Sequence, residues 1–129
     1  MALKIVLDTN RYVDFCKGEP LAVQQVQTAR KIFLPFVVLA ELRAGFLSGV
    51  KQEANSKILS RFLNTERTEV LFADDQTIHH YAQLFAYLRK NGKPIPTNDL
   101  WIAALVVQHD LILSTSDKHF KNLPQLPTI

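Results

Sequence analysis

The chain has 129 residues, 47% apolar and 21% charged, with a formal net charge of +3 and a single cysteine, Cys16. This length and balance suit one folded domain over residues 1–129 and argue against a disordered or fibrous chain. No apolar run is long enough to span a bilayer, Asp8 interrupts any leader-like N-terminus, and one thiol permits neither an internal disulfide nor a thiolate zinc cage, so a reduced, cytoplasmic, membrane-free protein is expected.

In chain order, Lys4–Leu7 reads as a short buried strand ending at Asp8. A helix is expected from Thr9 to Lys17, a break at Gly18-Glu19-Pro20, and a second helix through Arg30. Ile32–Leu34 is a very short strand candidate, and Pro35 suits the first position of a helix that runs to Ser48 and stops at Gly49. Glu53–Leu63 gives another helix and Glu69–Phe72 another strand. Asp74-Asp75 then caps a long amphipathic helix, in which Ile78, Tyr81, Ala82, Leu84, Phe85 and Leu88 recur at helical spacing until Asn91-Gly92.

Pro94 and Pro96 make an extended link, and Thr97-Asn98 opens a helix, Leu100–Val107, that is apolar on nearly every side and therefore buried. Leu111–Ser114 is the next strand, Asp117 lies just past its end, and the tail with Pro124 and Pro127 is an edge-strand candidate. Short apolar strands alternating with helices predict an α/β/α sandwich, a central mainly parallel sheet flanked by helices, without internal repeats. Such sheets carry their sites beyond the carboxyl ends of the strands. Asp8 and Asp117 both fall there.

Most acids have a local explanation. Glu53 has Lys57 one turn on, Asp14 has Lys17, and Asp74 and Asp75 cap a helix. Glu41 has none: its helical neighbours are Val37, Val38, Ala44 and Gly45, which predicts a carboxylate set among apolar and small residues. Asp99 opens the most apolar helix, where the helix N-terminus alone would also favour it. Asp8 and Asp117 have bland explanations as a cap and a turn residue. Together the four share strand-end or helix-face positions. Gathered carboxylates call for a hard divalent cation such as Mg²⁺ or Mn²⁺, which can orient water and offset charge on a phosphodiester. With four of the 12 acids drawn into one metal-loaded pocket, the rest of the surface carries its 15 bases in excess, which suits a polyanion, although a net charge of +3 is ordinary for a globular domain.

The segments Leu7-Asp8-Thr9-Asn10, Ala40-Glu41-Leu42, Asn98-Asp99-Leu100-Trp101-Ile102-Ala103-Ala104 and Thr115-Ser116-Asp117 resemble, in order and spacing, the four acidic motifs of PIN domains. Over essentially the whole chain the resemblance is to the VapC-type toxins of bacterial toxin–antitoxin pairs. It implies a PIN-like fold and a Mg²⁺- or Mn²⁺-dependent endoribonuclease acting on structured RNA such as tRNA or rRNA. It also implies that Asp8, Glu41, Asp99 and Asp117 form the metal-binding and catalytic site, with Thr115 as the accompanying hydroxyl. A homodimer and a cognate antitoxin that inserts beside the active site follow from the same resemblance. One position departs from many relatives: His119 stands where a further acid is common, which leaves a second metal open and reads as a surface histidine.

Arg11, Arg43, Lys118 and Lys121 lie close in sequence to the acids and are candidate RNA phosphate contacts. His79 and His80 are adjacent and cannot form a one-face metal pair. His109 suits a helix end, Trp101 a buried helix, and Cys16 packs as a small apolar residue. Tyr12 and Phe15 fit either a groove or the core. An aspartyl phosphotransferase needs Asp-x-Asp where this chain has Asp8-Thr9-Asn10, and no Gly-x-x-x-x-Gly-Lys-Ser/Thr phosphate loop exists. A non-catalytic PIN-like module that holds RNA or protein is the alternative, and its signature would be loss of one of the four acids. DNA also stays open as a substrate, because the same metal chemistry cuts either polymer.

Overall fold

The computed structural model describes residues 2–129. Its elements are β1 (Lys4–Leu7), α1 (Thr9–Cys16), α2 (Pro20–Thr28), β2 (Lys31–Pro35), α3 (Phe36–Ser48), α4 (Gln52–Leu63), β3 (Thr68–Leu71), α5 (Asp75–Lys90), α6 (Thr97–Gln108), β4 (Ile112–Ser114) and a 3-10 turn, Lys118–Asn122. The four strands form one parallel sheet in the order β3-β2-β1-β4, flanked by the helices as an α/β/α fold. Each strand-to-strand connection carries two helices, as parallel neighbours require.

Strands β1, β2 and β4 are buried on both faces. Ile5, Val6 and Leu7 of β1, Ile32 and Leu34 of β2, and Leu113 of β4 are all essentially inaccessible, as expected where helices cover both faces. Each such side chain contributes about 1.5–3 kcal/mol of transfer free energy. Helix α6 is the central helical element: Leu100 and Ile102 through Val106 are buried, in keeping with its continuous apolar sequence. Helix α5 opens with a capping box, in which Asp74 accepts from the Thr77 amide at 3.1 Å and the Thr77 hydroxyl meets the Asp74 amide at 2.9 Å. Gln108 at the end of α6 donates to the same Asp74 carboxylate at 2.8 Å. No helix among the described residues is long and apolar enough to cross a membrane.

Several boundaries move relative to the sequence reading. Helix α2 stops at Thr28, because Ala29 turns extended and the Arg30 amide donates to Leu3 at 2.7 Å, starting the sheet early. Strand β2 accordingly spans Lys31–Pro35, with Pro35 closing the strand and preceding α3. Strand β3 begins at Thr68, and Phe72, expected inside it, lies outside and exposed. Only Asp74 caps α5, and Asp75 is its first residue. The tail adds a single parallel bridge, Leu113 to Thr128, along the free edge of β4. Cys16 is exposed rather than packed, and Asp14 makes no ion pair among the described residues. Glu53 and Lys57 do approach, at 3.9 Å.

The chain runs outward from β1 to β2 and β3, then returns to place β4 on the other side of β1. The winding of the chain therefore reverses between β1 and β4, the switch point at which sheets of this kind place their sites, beyond the carboxyl ends of the strands.

Candidate active site

Asp8 follows β1 directly and becomes the N-cap of α1, with extended backbone at φ −78° and ψ 174°. Its Oδ1 accepts the Arg11 amide at 2.8 Å and its Oδ2 accepts the Thr115 hydroxyl. At 5% exposure the carboxylate is nearly dry. Burial pushes its pKa up, the Asp117 charge adds to that, and the Thr115 and Arg11 hydrogen bonds with the Arg11 charge oppose it without cancelling it.

Thr115 lies just past β4 and is paired on both sides. Its hydroxyl donates to Asp8 and accepts the Asp117 amide at 3.0 Å. Asp117 caps the 3-10 turn by accepting the His119 amide at 2.9 Å. That turn carries the His119 ring to the acids: Nδ1 lies 3.2 Å from Asp99 Oδ2 and 3.3 Å from Asp117 Oδ1. Asp99 sits in the first turn of α6. Burial raises its pKa first and foremost, and the charges of Asp117 and Glu41 push the same way, against the His119 contact.

Glu41 comes from α3, where the Thr9 hydroxyl donates to its Oε1 at 2.7 Å. Its sequence neighbourhood predicted a carboxylate among apolar residues, yet Glu41 is exposed, as are Ala44 and Gly45 on the same face. The short side chains one turn on leave that face of α3 open, while Val37, Val38 and Leu42 turn inward. The structure thus links all five expected residues. Asp8, Thr115 and Asp117 form one hydrogen-bonded chain, and Glu41 acts on Asp99 through its charge. Donor atoms of Asp99, Asp117 and His119 lie within 4.8 Å of one another, with Asp8 and Glu41 outside that triangle.

The expected phosphate contacts divide. Arg43, Lys118 and Lys121 are exposed. Arg11 is not: it is 5% exposed, its Nε has no hydrogen-bond partner, and its charge bears on Asp8. Its position in the first turn of α1, which packs against the core through Tyr12, draws the side chain inward. The sequence reading passed over Thr9 and discounted His119. A hydroxyl beside Asp8 and an Asp-x-His spacing after β4 were the available signals.

Two aromatic questions are also decided. Tyr12 is buried edge-on against Phe62 at 5.3 Å, and Phe15 packs on the same ring at 5.6 Å, so both belong to the core. Trp101 lies between Tyr81, at 4.3 Å, and Phe36, at 6.2 Å, and serves packing.

A cluster of carboxylate oxygens, two of them on groups raised in pKa by burial, is only partly offset by Arg11 and by the His119 contacts. Hard oxygen donors of this kind fit a divalent cation.

A family model described as the PIN domain matches residues 5–126. Ribonuclease VapC1 of Haemophilus influenzae is 31% identical over 126 residues, covering 94% of this chain and 92% of that protein. A tRNA(fMet)-specific endonuclease VapC of Salmonella typhimurium is 29% identical over 126 residues, covering 95% and 93%. The crystal structure of VapBC2 from Rickettsia felis, bound to a DNA fragment from its promoter, superposes with a TM-score of 0.87 at 27% identity, covering 98% of both chains. With the sheet, the order of the acids and the family model in agreement, this chain belongs to the PIN-domain family and groups there with the VapC ribonucleases of toxin–antitoxin systems.

Proposed function

We propose that this single-domain protein is a divalent-metal-dependent endoribonuclease that hydrolyses phosphodiester bonds in structured RNA, tRNA or rRNA, and thereby blocks translation in the cytoplasm. The observation that carries the metal dependence is the convergence of buried Asp8 and half-buried Asp99 with Asp117 at the carboxyl end of the sheet, where burial raises the pKa of Asp8 and Asp99 and the buried Arg11 only partly offsets the Asp8 charge. The likeness to a tRNA(fMet)-specific endonuclease supports the substrate class.

Asp8, Glu41, Asp99 and Asp117 are the residues that would hold Mg²⁺ or Mn²⁺. When bound, such an ion polarises a phosphoryl oxygen and lowers the pKa of a water, the chemistry that phosphodiester hydrolysis needs. The chain's own contributions are positional. Thr115 fixes the Asp8 carboxylate and the Asp117 backbone at once, and Thr9 holds Glu41 at the rim. Arg11 offsets part of the Asp8 charge from within. Arg43, Lys118 and Lys121 are the exposed cations for phosphates of the RNA.

A cognate antitoxin that inserts beside the acids is the partner this reading requires. Self-association as a homodimer is supported by Ile78 and Phe85, which leave apolar side chains exposed on one face of α5.

The test is cleavage of labelled total tRNA and rRNA by antitoxin-free protein with Mg²⁺, Mn²⁺ or EDTA, beside folded Asp8→Asn and Asp99→Asn variants. Discrete cuts that need metal and disappear in both variants are expected. Binding of RNA without cleavage under every metal would instead support a non-catalytic module.

A further inference from the structure

The 3-10 turn after β4 folds His119 back so that its amide and its ring both face Asp117. Its ring Nδ1 lies 3.2 Å from one Asp99 oxygen and 3.3 Å from one Asp117 oxygen. One Nδ1–H can point well at a single acceptor, so hydrogen bonding alone does not account for a nitrogen set midway between two acids. Adjacent ligands of an octahedral ion with bonds of about 2.0–2.2 Å lie about 3 Å apart. The two separations from Nδ1 are close to such ligand edges, and donor oxygens of the two acids lie within 4.8 Å of each other.

We propose that His119 is a metal ligand through Nδ1, completing an Asp99–Asp117–His119 set of two oxygens and one nitrogen. The proposal rests on the metal-dependent reading and extends it. Mg²⁺ prefers an all-oxygen shell, whereas an imidazole nitrogen suits first-row transition cations. A nitrogen ligand at His119 therefore tilts the site from Mg²⁺ towards Mn²⁺. In this arrangement the ring is neutral, with its proton on Nε2, and that edge reaches solvent because the side chain is 52% exposed.

The experiment is pulsed electron paramagnetic resonance on the full chain, free of antitoxin and loaded with one equivalent of Mn²⁺. The parent is expected to show the ¹⁴N modulation of a directly bound imidazole, and His119→Asn to lose it while still binding Mn²⁺. Calorimetry should find Mn²⁺ affinity reduced on the order of tenfold or more in His119→Asn, with a smaller change for Mg²⁺. Bound Mn²⁺ without ¹⁴N modulation in the parent would overturn the ligand assignment and leave the metal-dependent reading standing. Absence of Mn²⁺ binding would overturn both. Modulation that survives in His119→Asn, or an equal loss of affinity for both metals, would assign His119 a structural role only.

Discussion

Thr115→Val removes one hydroxyl while keeping the shape of the side chain, and its consequences can be worked through from two hydrogen bonds. The hydroxyl donates to the buried Asp8 carboxylate and accepts the Asp117 amide. A hydrogen bond to a charged acceptor contributes about 1.5–3 kcal/mol, and a neutral one about 1 kcal/mol. The Asp117 amide is close enough to the surface to regain water, so the expected loss at neutral pH is about 2–3 kcal/mol. For a chain of this size that is roughly 6–12 °C in Tm. The pH dependence gives the sharper test. The Thr115 bond lowers the Asp8 pKa relative to what burial alone would set, so it stabilises the ionised form. Its stabilisation is fully present above the still higher folded pKa that Asp8 has without the bond, and is lost as pH falls from there through the parent's own value, itself raised from 3.8. Thermal melts in EDTA at a series of pH values from about 7.5 to about 4.5 read this directly. The gap between parent and variant should narrow as pH falls, and Thr115→Ser should stay close to the parent. A gap below about 1 °C at pH 7.5, or one that does not change with pH, would refute the role assigned to this hydroxyl.

The remaining predictions concern charge, metal and the distal cap. Asp99 is raised in pKa mainly by burial, so its ionised form costs folding free energy above the folded pKa, and that cost vanishes once the group is protonated. Metal-free Asp99→Asn should therefore melt at or above the parent at pH 7 and lose that advantage in acid, while cleavage falls about a hundredfold or more; a variant that melts well below the parent at pH 7 contradicts the charge argument. Mn²⁺ at about a hundred times its Kd should stabilise the parent by about 2.7 kcal/mol, reversibly with EDTA, and an Asp8→Asn/Asp99→Asn double variant should show no such shift. Thr77→Val breaks the capping box of α5 and should cost about 1–2 kcal/mol in urea unfolding. Mn²⁺ affinity should not change in that variant, because Gln108 and Asp99 lie at opposite ends of α6. Altered metal binding there would mean that the two ends of α6 are coupled.

Much of the fold is written in local pattern. The continuous apolar runs of β1 and α6, the Asp74 cap and the Asn91-Gly92 stop of α5 each appear at or near their predicted positions. The reason is that strand and helix periodicity and capping depend on neighbours within about four residues. Glu41 and Asp99 could be selected in the same way, as carboxylates with no base one helical turn away, whereas Asp8 and Asp117 stood out by their positions at strand ends. What failed were judgements of exposure. Glu41 looked surrounded by apolar residues and lies in the open, Arg11 looked like a surface cation and is buried, and Cys16 looked like a core residue and is exposed.

By itself, then, the sequence determined the order and type of the elements and the set of acids, because those features rest on short-range spacing. Only the tertiary structure decided which acids meet and what stands between them. Placing β4 beside β1 brings Thr115 to Asp8 across a separation of 107 residues, and the turn after β4 brings His119 between Asp99 and Asp117. Those meetings depend on strand order and on which helix face turns inward, both of which are settled by burying apolar surface across the whole chain rather than within any one segment.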